Sequence, residues 1–286
     1  MRNAIGIDIG GTNTRAARVS AAGQILEHRA GSTARTPEAL LADLRRMVEG
    51  LRDAATAAIG LGVPGRVDVR HQRIISGGYI DKSTLSAVAL LRHETGLATF
   101  ADNDANMAMF AEARAGAALQ HAHAVMLTIG TGIGGSILAD GHIFHGATTA
   151  GQLGHITVTS NSELCNCGRQ GCLETASSGT ALARHIARHG FAPGTPVADL
   201  LQSDQPAARA VIADWALPLR AGIDSLDAVF GPEIIILGGG LGAAAAKALE
   251  RFPAVSPWFR CPVAAAILGD EAGVIGAALA ALERYP

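Results

Sequence analysis

Apolar residues come in short bursts near the start of this chain and at helical spacing further on. Ala4–Ile9 is apolar except for Asp8, then Gly10-Gly11-Thr12-Asn13 interrupts it, and Arg15–Ser20 follows. That pattern predicts strand, turn, strand. The same pattern returns about 120 residues later. Val125–Ile129 reads as a strand, Gly130-Thr131-Gly132-Ile133-Gly134-Gly135 as a turn, and Ser136–Ala139 as the next strand. Each copy then reaches a further turn and short strand, at 23–26 and 141–144. Two glycine-rich hairpins in corresponding positions predict a duplicated domain with a cleft between its halves. The alternative is coincidence between two common hairpin patterns.

Helical periodicity marks Pro37–Leu51, with Leu40, Leu41, Leu44, Met47, Val48 and Leu51 on one face. Ala58–Val63 predicts a strand that ends in Pro64-Gly65, Thr84–Thr95 a helix, Thr99–Ala101 a strand and Asn106–Ala115 a helix. Residues 179–230 read as mostly helical. Ile234–Leu237 predicts a buried strand running into Gly238-Gly239-Gly240, and Ala243–Arg251 and Gly273–Arg284 predict helices.

Composition narrows the function classes. A chain of 286 residues, 49% hydrophobic, holds two modest domains or one large one. A net charge of −2 offers no basic stripe, so no nucleic-acid partner is expected. No apolar run is long enough for a membrane span, and the start shows no leader pattern, so a cytoplasmic location is expected. The chain has four cysteines, three of them within positions 165–172. That clustering suits a reducing compartment better than a disulfide scaffold.

The clustered cysteines carry the clearest chemistry. His155, Cys165, Cys167 and Cys172 supply one imidazole and three thiolates, the soft and borderline ligands that Zn²⁺ prefers. Four protein ligands close a tetrahedron, which makes such a zinc structural. The alternative is three buried, inert cysteines.

The glycine turns suit phosphate, because successive backbone N–H groups with no side chain in the way form an anion nest. Gly10, Gly11 and Thr12 in one turn and Gly130–Gly135 in the other would hold one polyphosphate. Asp8 sits where a water-mediated Mg²⁺ contact is natural, and a carboxylate inside an apolar strand is costly without a partner. Asp102-Asn103-Asp104-Ala105-Asn106 joins a predicted strand to a predicted helix. There Asp104 would accept the proton of a hydroxyl attacking phosphorus, and Asn103 would bind a polyol. Capping explains one such residue but not a run of four. Gly238–Gly240 fits either against an adenosine moiety or as tight strand-to-helix packing.

Two dinucleotide-binding readings fail on context. Gly130, Gly132 and Gly135 match G-x-G-x-x-G, but a strand follows where a helix is needed. Gly238-x-Gly240-x-x-Ala243 sits between strand and helix, yet the next strand, Val263–Ile267, has no acid at its end for a ribose. Neither lysine, Lys82 or Lys247, follows a phosphate-binding glycine loop.

Together these residues resemble the ROK family (repressors, open reading frames, sugar kinases). The resemblance rests on Asp8-Ile9-Gly10-Gly11-Thr12, Asn103-Asp104-Ala105-Asn106 with Glu112, and Gly130–Gly135. It continues through Gly154-His155, Cys165-x-Cys167-Gly168-x-x-Gly171-Cys172-x-Glu174 and Gly238-Gly239-Gly240. It implies an α/β fold of the actin-like ATPase (ribonuclease H-like) type, with two domains around a cleft. The expected division is 1–115, completed by the C-terminal helix 272–286, and 116–271 with the zinc knuckle.

The resemblance also implies ATP, Mg²⁺ and structural Zn²⁺, phosphoryl transfer to a sugar hydroxyl, usually O6, and a homodimer. Asp104 is the implied general base. Gly65, Asn103, Asp104, Gln152, His155 and Glu174 are implied at the sugar. Asp8, Gly10, Gly11, Thr12, Asn13, Thr131, Gly132, Gly134, Gly239 and Gly240 are implied at the nucleotide and its metal. His155 has two implied jobs, one ring nitrogen on zinc and the other facing the sugar.

The chain departs from the family pattern twice. Family kinases commonly carry Gly-Glu-x-Gly-His, and here Gln152 replaces the glutamate. A neutral amide grips hydroxyls more weakly than a carboxylate; N-acetylmannosamine kinases of the family can also depart from glutamate there, so the resemblance favours an amino-sugar. Glucose-type members carry an Asn-Leu pair where this chain reads Ser76-Gly77-Gly78-Tyr79-Ile80, which puts glucose in doubt. The expected function is an ATP-dependent hexose or N-acetylhexosamine kinase, with the sugar and the choice of ATP or polyphosphate left open. The alternative is a catalytically inactive sugar-binding or sensing member. A repressor would carry a DNA-binding segment ahead of the first glycine turn, which begins here at residue 10, so none is expected.

Overall fold

A computed structural model describes residues 2–76, 87–160 and 163–285. The chain separates into two compact units. The first comprises Met1–Gln120, Ile143–Ala150 and Asp270–Pro286, and the second His121–His142 and Gly151–Gly269. Of the predicted 84–95 helix, residues 84–86 lie outside the described residues, as do residues 77–80 of the segment that departs from the glucose-type pattern.

In the first unit, β1 (Asn3–Ile9), β2 (Asn13–Ser20) and β3 (Ile25–Ser32) form antiparallel pairs. β4 (Thr56–Val63) and β7 (Ala98–Asn103) extend the sheet in parallel, giving the order β3-β2-β1-β4-β7. Between β4 and β7 in sequence, β5 (Arg66–Asp68) and β6 (Arg73–Ser76) make a separate hairpin that is not among the predicted elements. α1 (Pro37–Leu51) starts where Thr36 accepts from Ala39 N and proline occupies the first turn. It buries Leu40, Leu44, Val48 and Leu51, while Leu41 and Met47 stay half-buried, so the core stripe is narrower than the run of apolar residues. α2 (Ala87–Thr95) precedes β7, and α3 (Asp104–Ala115) follows it directly.

The C-terminal helix α9 (Ala272–Arg284) belongs to this unit and packs on β1, β4 and α3. Its approach depends on missing side chains. A Cβ at Gly6 would lie 1.8 Å from Val274 O, and one at Gly60 would lie 1.8 Å from Ala277 O. No larger residue fits at either place. This seating presses the start of α9 onto Asp8.

In the second unit, β8 (Ala124–Ile129) and β9 (Ile133–Ala139) are antiparallel, and β10 (His142–Ile143) lies beside β9. β11 (Ile234–Gly238) and β12 (Val263–Ala265) run parallel to β8, giving the order β10-β9-β8-β11-β12. The two sheets therefore share one plan: an antiparallel hairpin, a third strand outside it, and two parallel strands on the inner side. The helices are α4 (Leu173–Ser177), α5 (Gly179–Arg188), α6 (Val197–Gln202), α7 (Pro206–Phe230) and α8 (Gly242–Leu249).

The core of this unit centres on Trp215, fully buried with Ile212, Leu219, Ile223, Val211 and Leu173. Its indole N–H donates to Ser177 O at 2.7 Å, and Ser177 Oγ donates back to Trp215 O at 2.8 Å. Both buried polar groups are thus satisfied, which ties the α4–α5 junction to α7. Among the described residues, no helix is long and apolar enough to cross a membrane.

Candidate active site

Each unit assembles its own set of functional groups. In the first, β1 carries Asp8 to the lip of the first glycine turn, where its backbone pairs with Arg15 on one side and Gly62 on the other. A Cβ added at Gly62 would lie 3.6 Å from both Asp8 Oδ1 and Asp104 Cα, so the two acids converge across a glycine. A Cβ at Gly273 would lie 2.7 Å from Asp8 Cγ, so α9 closes the other side.

Burial pushes Asp8 up to about 6, with Arg15 opposing and Asp270 and Glu271 adding to the rise. Burial likewise pushes Asp104 up to about 7, and repulsion from Asp8 adds to it. Two carboxyls held this close in a partly dry place bind protons more tightly than in water. A divalent cation beside Asp8 relieves that repulsion, so these residues fit Mg²⁺.

The 102–106 run divides its work. Asp102 is 4% exposed and accepts from Asn103 N at 2.6 Å and Asn106 Nδ2 at 2.9 Å. His145 Nε2 lies 2.7 Å from the other oxygen of Asp102. That contact fastens the Ile143–Ala150 excursion to the first unit. Asn103 is the N-cap of α3, its oxygen accepting from Ala105 N and Asn106 N at 3.0 and 3.3 Å. The cap explains why the helix begins two residues before the apolar periodicity does. Asn103 Nδ2 donates to Gly65 O at 2.9 Å, where Gly65 takes φ +94°. The Asn103 side chain also hydrogen-bonds Asp104, so one amide ties the Gly65 turn to the candidate base. Asp104 occupies the first helical position, with Oδ1 accepting from Ala105 N at 2.8 Å. Glu112 is fully buried and accepts from Ala117 N at 2.6 Å, holding the end of α3.

The first glycine turn is held by Gly10 N donating to Asn13 O at 2.9 Å and by Thr33 Oγ1 donating to Gly10 O at 2.7 Å. Gly11 is half-buried, and Thr12 and Asn13 are exposed. Their polar groups are accessible to an anion.

In the second unit, the hairpin turn is walled by neighbours. Gly179 N donates to Gly130 O at 2.8 Å, and Thr180 Oγ1 donates to Thr131 O at 2.8 Å. Leu241 N donates to Ile129 O at 2.9 Å, which brings Gly239 and Gly240 alongside. Gly239 takes φ +76°, and a Cβ there would lie 2.6 Å from Ile129 O, so both conformation and space demand glycine. The turn residues expected at the nucleotide, Thr131, Gly132, Gly134, Gly239 and Gly240, thus gather at one end of the inner strands β9, β8 and β11. Gly179 and Thr180 join them, and the sequence reading missed both. Their signal was Ser178-Gly179-Thr180 opening a helix, with Ser178 Oγ accepting from Ala181 N.

The Gly151–His155 segment leads into a short 3₁₀ turn, Leu153–His155. It lies directly on β9, since a Cβ at Gly154 would lie 2.1 Å from Ile133 O. Gln152 is exposed just before this turn. His155 Nδ1 lies 3.5 Å from Cys165 Sγ, and Cys167 Sγ lies 3.5 Å from Cys172 Sγ. All four ligand atoms fall within 4.8 Å of one another. Tetrahedral zinc with bonds of about 2.0–2.3 Å has ligand–ligand edges of roughly 3.3–3.8 Å. The donor set and its spacing therefore fit Zn²⁺, and with Nδ1 turned to the sulfurs, His155 keeps Nε2 for another partner. Burial pushes the Cys172 thiol up to about 12, whereas the Arg169 backbone N–H lowers Cys167.

Glu174 links this knuckle to the glycine hairpin. Its Oε2 accepts from Ile133 N at 2.9 Å, and its Oε1 lies 3.9 Å from Cys165 Sγ. A Cβ at Gly132 would lie 2.4 Å from Glu174 Oε2, so the glycine makes room for the carboxylate.

Comparison with known proteins places the chain. The model of the ROK family matches residues 4–284. A glucokinase of Halalkalibacterium halodurans is 31% identical over 305 residues, covering 95% of this chain and 92% of that protein. An N-acetylmannosamine kinase of Citrobacter koseri is 32% identical over 298 residues, covering 97% and 98%. The crystal structure of a ROK family glucokinase from Streptomyces griseus in complex with glucose and AMPPNP aligns with a TM-score of 0.84 at 30% identity, covering 98% and 99%.

Proposed function

The chain belongs to the ROK family, and we propose that it is an ATP-dependent carbohydrate kinase that phosphorylates a hexose or N-acetylhexosamine. The observation that carries this reading is Asp104. It sits at the start of α3 beside Asp8, with burial and that neighbour pushing it up to about 7. A carboxylate with a pKa near neutrality is well matched to take a proton from an alcohol during reaction.

In the proposed reaction, Asp104 accepts the proton of a sugar hydroxyl, O6 by family resemblance. That oxygen bonds to the γ-phosphorus of ATP as the bond from phosphorus to the β–γ bridging oxygen breaks, and ADP leaves. Asp8 would hold Mg²⁺ through water, and the bound ion would neutralise phosphate charge. Gly10, Gly11, Thr12 and Asn13 would present polar groups to phosphate, as would Thr131, Gly132 and Gly134. Gly239 and Gly240 would lie against the nucleoside.

Gly65, Asn103, Gln152, His155 and Glu174 would grip the sugar. Zinc bound by His155, Cys165, Cys167 and Cys172 would fix the imidazole plane, so that Nε2 meets a hydroxyl in one orientation. Gln152 offers a neutral amide in place of the usual glutamate, and N-acetylmannosamine kinases of the family can also depart from glutamate there, which supports an amino-sugar over glucose. The homodimer is part of the same proposal, and sedimentation tests it.

A coupled ADP-release assay over glucose, mannose, fructose, allose, N-acetylglucosamine and N-acetylmannosamine tests the reaction. Turnover on at least one sugar is expected. Silence on all six, with ATP and zinc bound, would favour the inactive sugar-binding alternative.

A further inference from the structure

The β5–β6 hairpin turns at a residue whose backbone is strained. Gln72 takes φ +53°. A residue with a Cβ is uncommon in that left-handed region and stays there only where its surroundings hold it. Just ahead of it, one oxygen of Asp68 accepts from His71 N at 3.1 Å and the other lies 2.8 Å from His71 Nδ1, which closes the turn. The half-buried Gln72 side chain then bonds both its own hairpin and β7. Its Oε1 accepts from Ala101 N at 2.7 Å, and its Nε2 donates to Val69 O at 2.7 Å and to Ala101 O at 3.4 Å.

Among the described residues, β7 ends the sheet and is paired on one side only, with β4. An edge strand presents unpaired N–H and C=O groups. At Ala101 one side-chain amide meets both, taking the place of a further strand for a single residue. Ala101 is the last residue before the Asp102–Asn106 run. Gly65, immediately before β5, accepts from Asn103 Nδ2 at 2.9 Å, and the Asn103 side chain also hydrogen-bonds Asp104. The hairpin therefore grips the end of β7 twice, at Ala101 through Gln72 and at Asn103 through Gly65.

A single contact leaves the hairpin free to pivot against β7, whereas two contacts two residues apart fix its angle. They close a ring that runs from Gln72 to Ala101, along β7 to Asn103, across to Gly65 and back through β5. Two members of that ring, Gly65 and Asn103, are proposed to grip the sugar. The glycine turns proposed at the nucleotide lie on other strands. We propose that Gln72 is a positioning residue for the sugar: its amide sets the gap between Gly65 and Asn103, and with it the grip on sugar hydroxyls, without touching the substrate. This inference rests on the sugar-kinase reading and adds a residue to which that reading gives no role.

Two variants separate positioning from stability. Gln72→Gly removes the amide and relieves the left-handed strain, whereas Gln72→Met removes the amide and keeps both strain and bulk. Gln72→Met should therefore melt lower than Gln72→Gly. In both, the sugar KM in the ADP-release assay and the sugar Kd by calorimetry without ATP should rise about tenfold, with the ATP KM within about twofold of wild type. Hydrogen exchange gives a readout that needs no sugar: the Ala101 N–H should be protected in the wild-type protein and exchange about tenfold faster or more in both variants. Wild-type protein that binds a sugar in the panel without turning it over would contradict the kinase reading and leave Kd to judge Gln72. Unchanged sugar KM and Kd, an equal rise in ATP KM, a sugar effect confined to the less stable variant, or unchanged exchange at Ala101 would each overturn the proposal.

Discussion

The two sheets share a strand plan and differ in what they place at the same point. In the first, β1 reads Asp8-Ile9-Gly10 into its turn; in the second, β8 reads Thr128-Ile129-Gly130. One copy puts a carboxylate beside the turn, and the other a hydroxyl. Around Asp8 the first unit gathers Asp104 on α3 and the acidic start of α9, and both Asp8 and Asp104 rise toward neutrality. Around Gly130 the second unit gathers uncharged turns, Gly179-Thr180 and Gly239-Gly240, and reserves its charged chemistry for Glu174 and the cysteine knuckle. The plan of the sheet fixes where a site forms, and one or two residues at the turn decide which chemistry it takes. On the proposed reading, the first unit serves proton and cation chemistry, and the second cradling and orientation.

The strongest way to break this contrast is Asp104→Asn. Turnover should fall by about 10²–10⁴-fold, while melting temperature and metal content stay close to wild type. Near-normal turnover would remove Asp104 as the base. Next, Cys172→Ser should lose about one equivalent of zinc by metal analysis and raise the sugar KM about tenfold or more, as expected when the support of an orienting ligand goes. Full zinc content would refute the tetrad.

The pH dependence sharpens the first unit's part. Asp104 must be deprotonated to act, so kcat/KM should rise with pH through about 7 at low Mg²⁺. Removing the neighbouring charge with Asp8→Asn should move that inflection to lower pH, and an unmoved inflection would separate the two acids. Stability runs the opposite way. Both folded pKa values are raised above 3.8, so the native state holds more protons than the unfolded chain between about pH 4 and 7. The contribution is full below about 4 and is lost as pH rises through 6 and 7. Melting temperature of the metal-free protein should therefore decline across that window from these two groups, and Asp8→Asn should flatten the decline.

The smallest effect is expected from His145→Ala. It removes one bond to buried Asp102, and loss of one such bond costs about 1–3 kcal/mol. Turnover should drop a few-fold through looser seating of α3, with zinc content unchanged.

Much of this was legible before any coordinates. Short apolar bursts separated by glycine turns gave both hairpins, because period and turn residues are local signals. The cysteine cluster was legible for the same reason, since its ligands are close in sequence. Pairings over long distances were not. Nothing local says that His145 meets Asp102 across 43 positions, or that α9 lies against β1 through Gly6 and Gly60. The β5–β6 hairpin was missed although Arg66-Val67-Asp68-Val69-Arg70 alternates, because its strands span only three and four residues and so give a short signal. The 102–106 run pointed at chemistry, but only tertiary contacts separate the cap, Asn103, and the buried anchor, Asp102, from Asp104, the proposed base.

The most direct test of the division between the units is to measure kcat, KM and sugar Kd side by side for Asp104→Asn and Glu174→Gln, on the sugar selected by the ADP-release panel. The account predicts that Asp104→Asn loses kcat with sugar Kd nearly unchanged, and that Glu174→Gln raises Kd and KM more than it lowers kcat. The reverse pattern, with binding lost at Asp104 and turnover alone lost at Glu174, would contradict it.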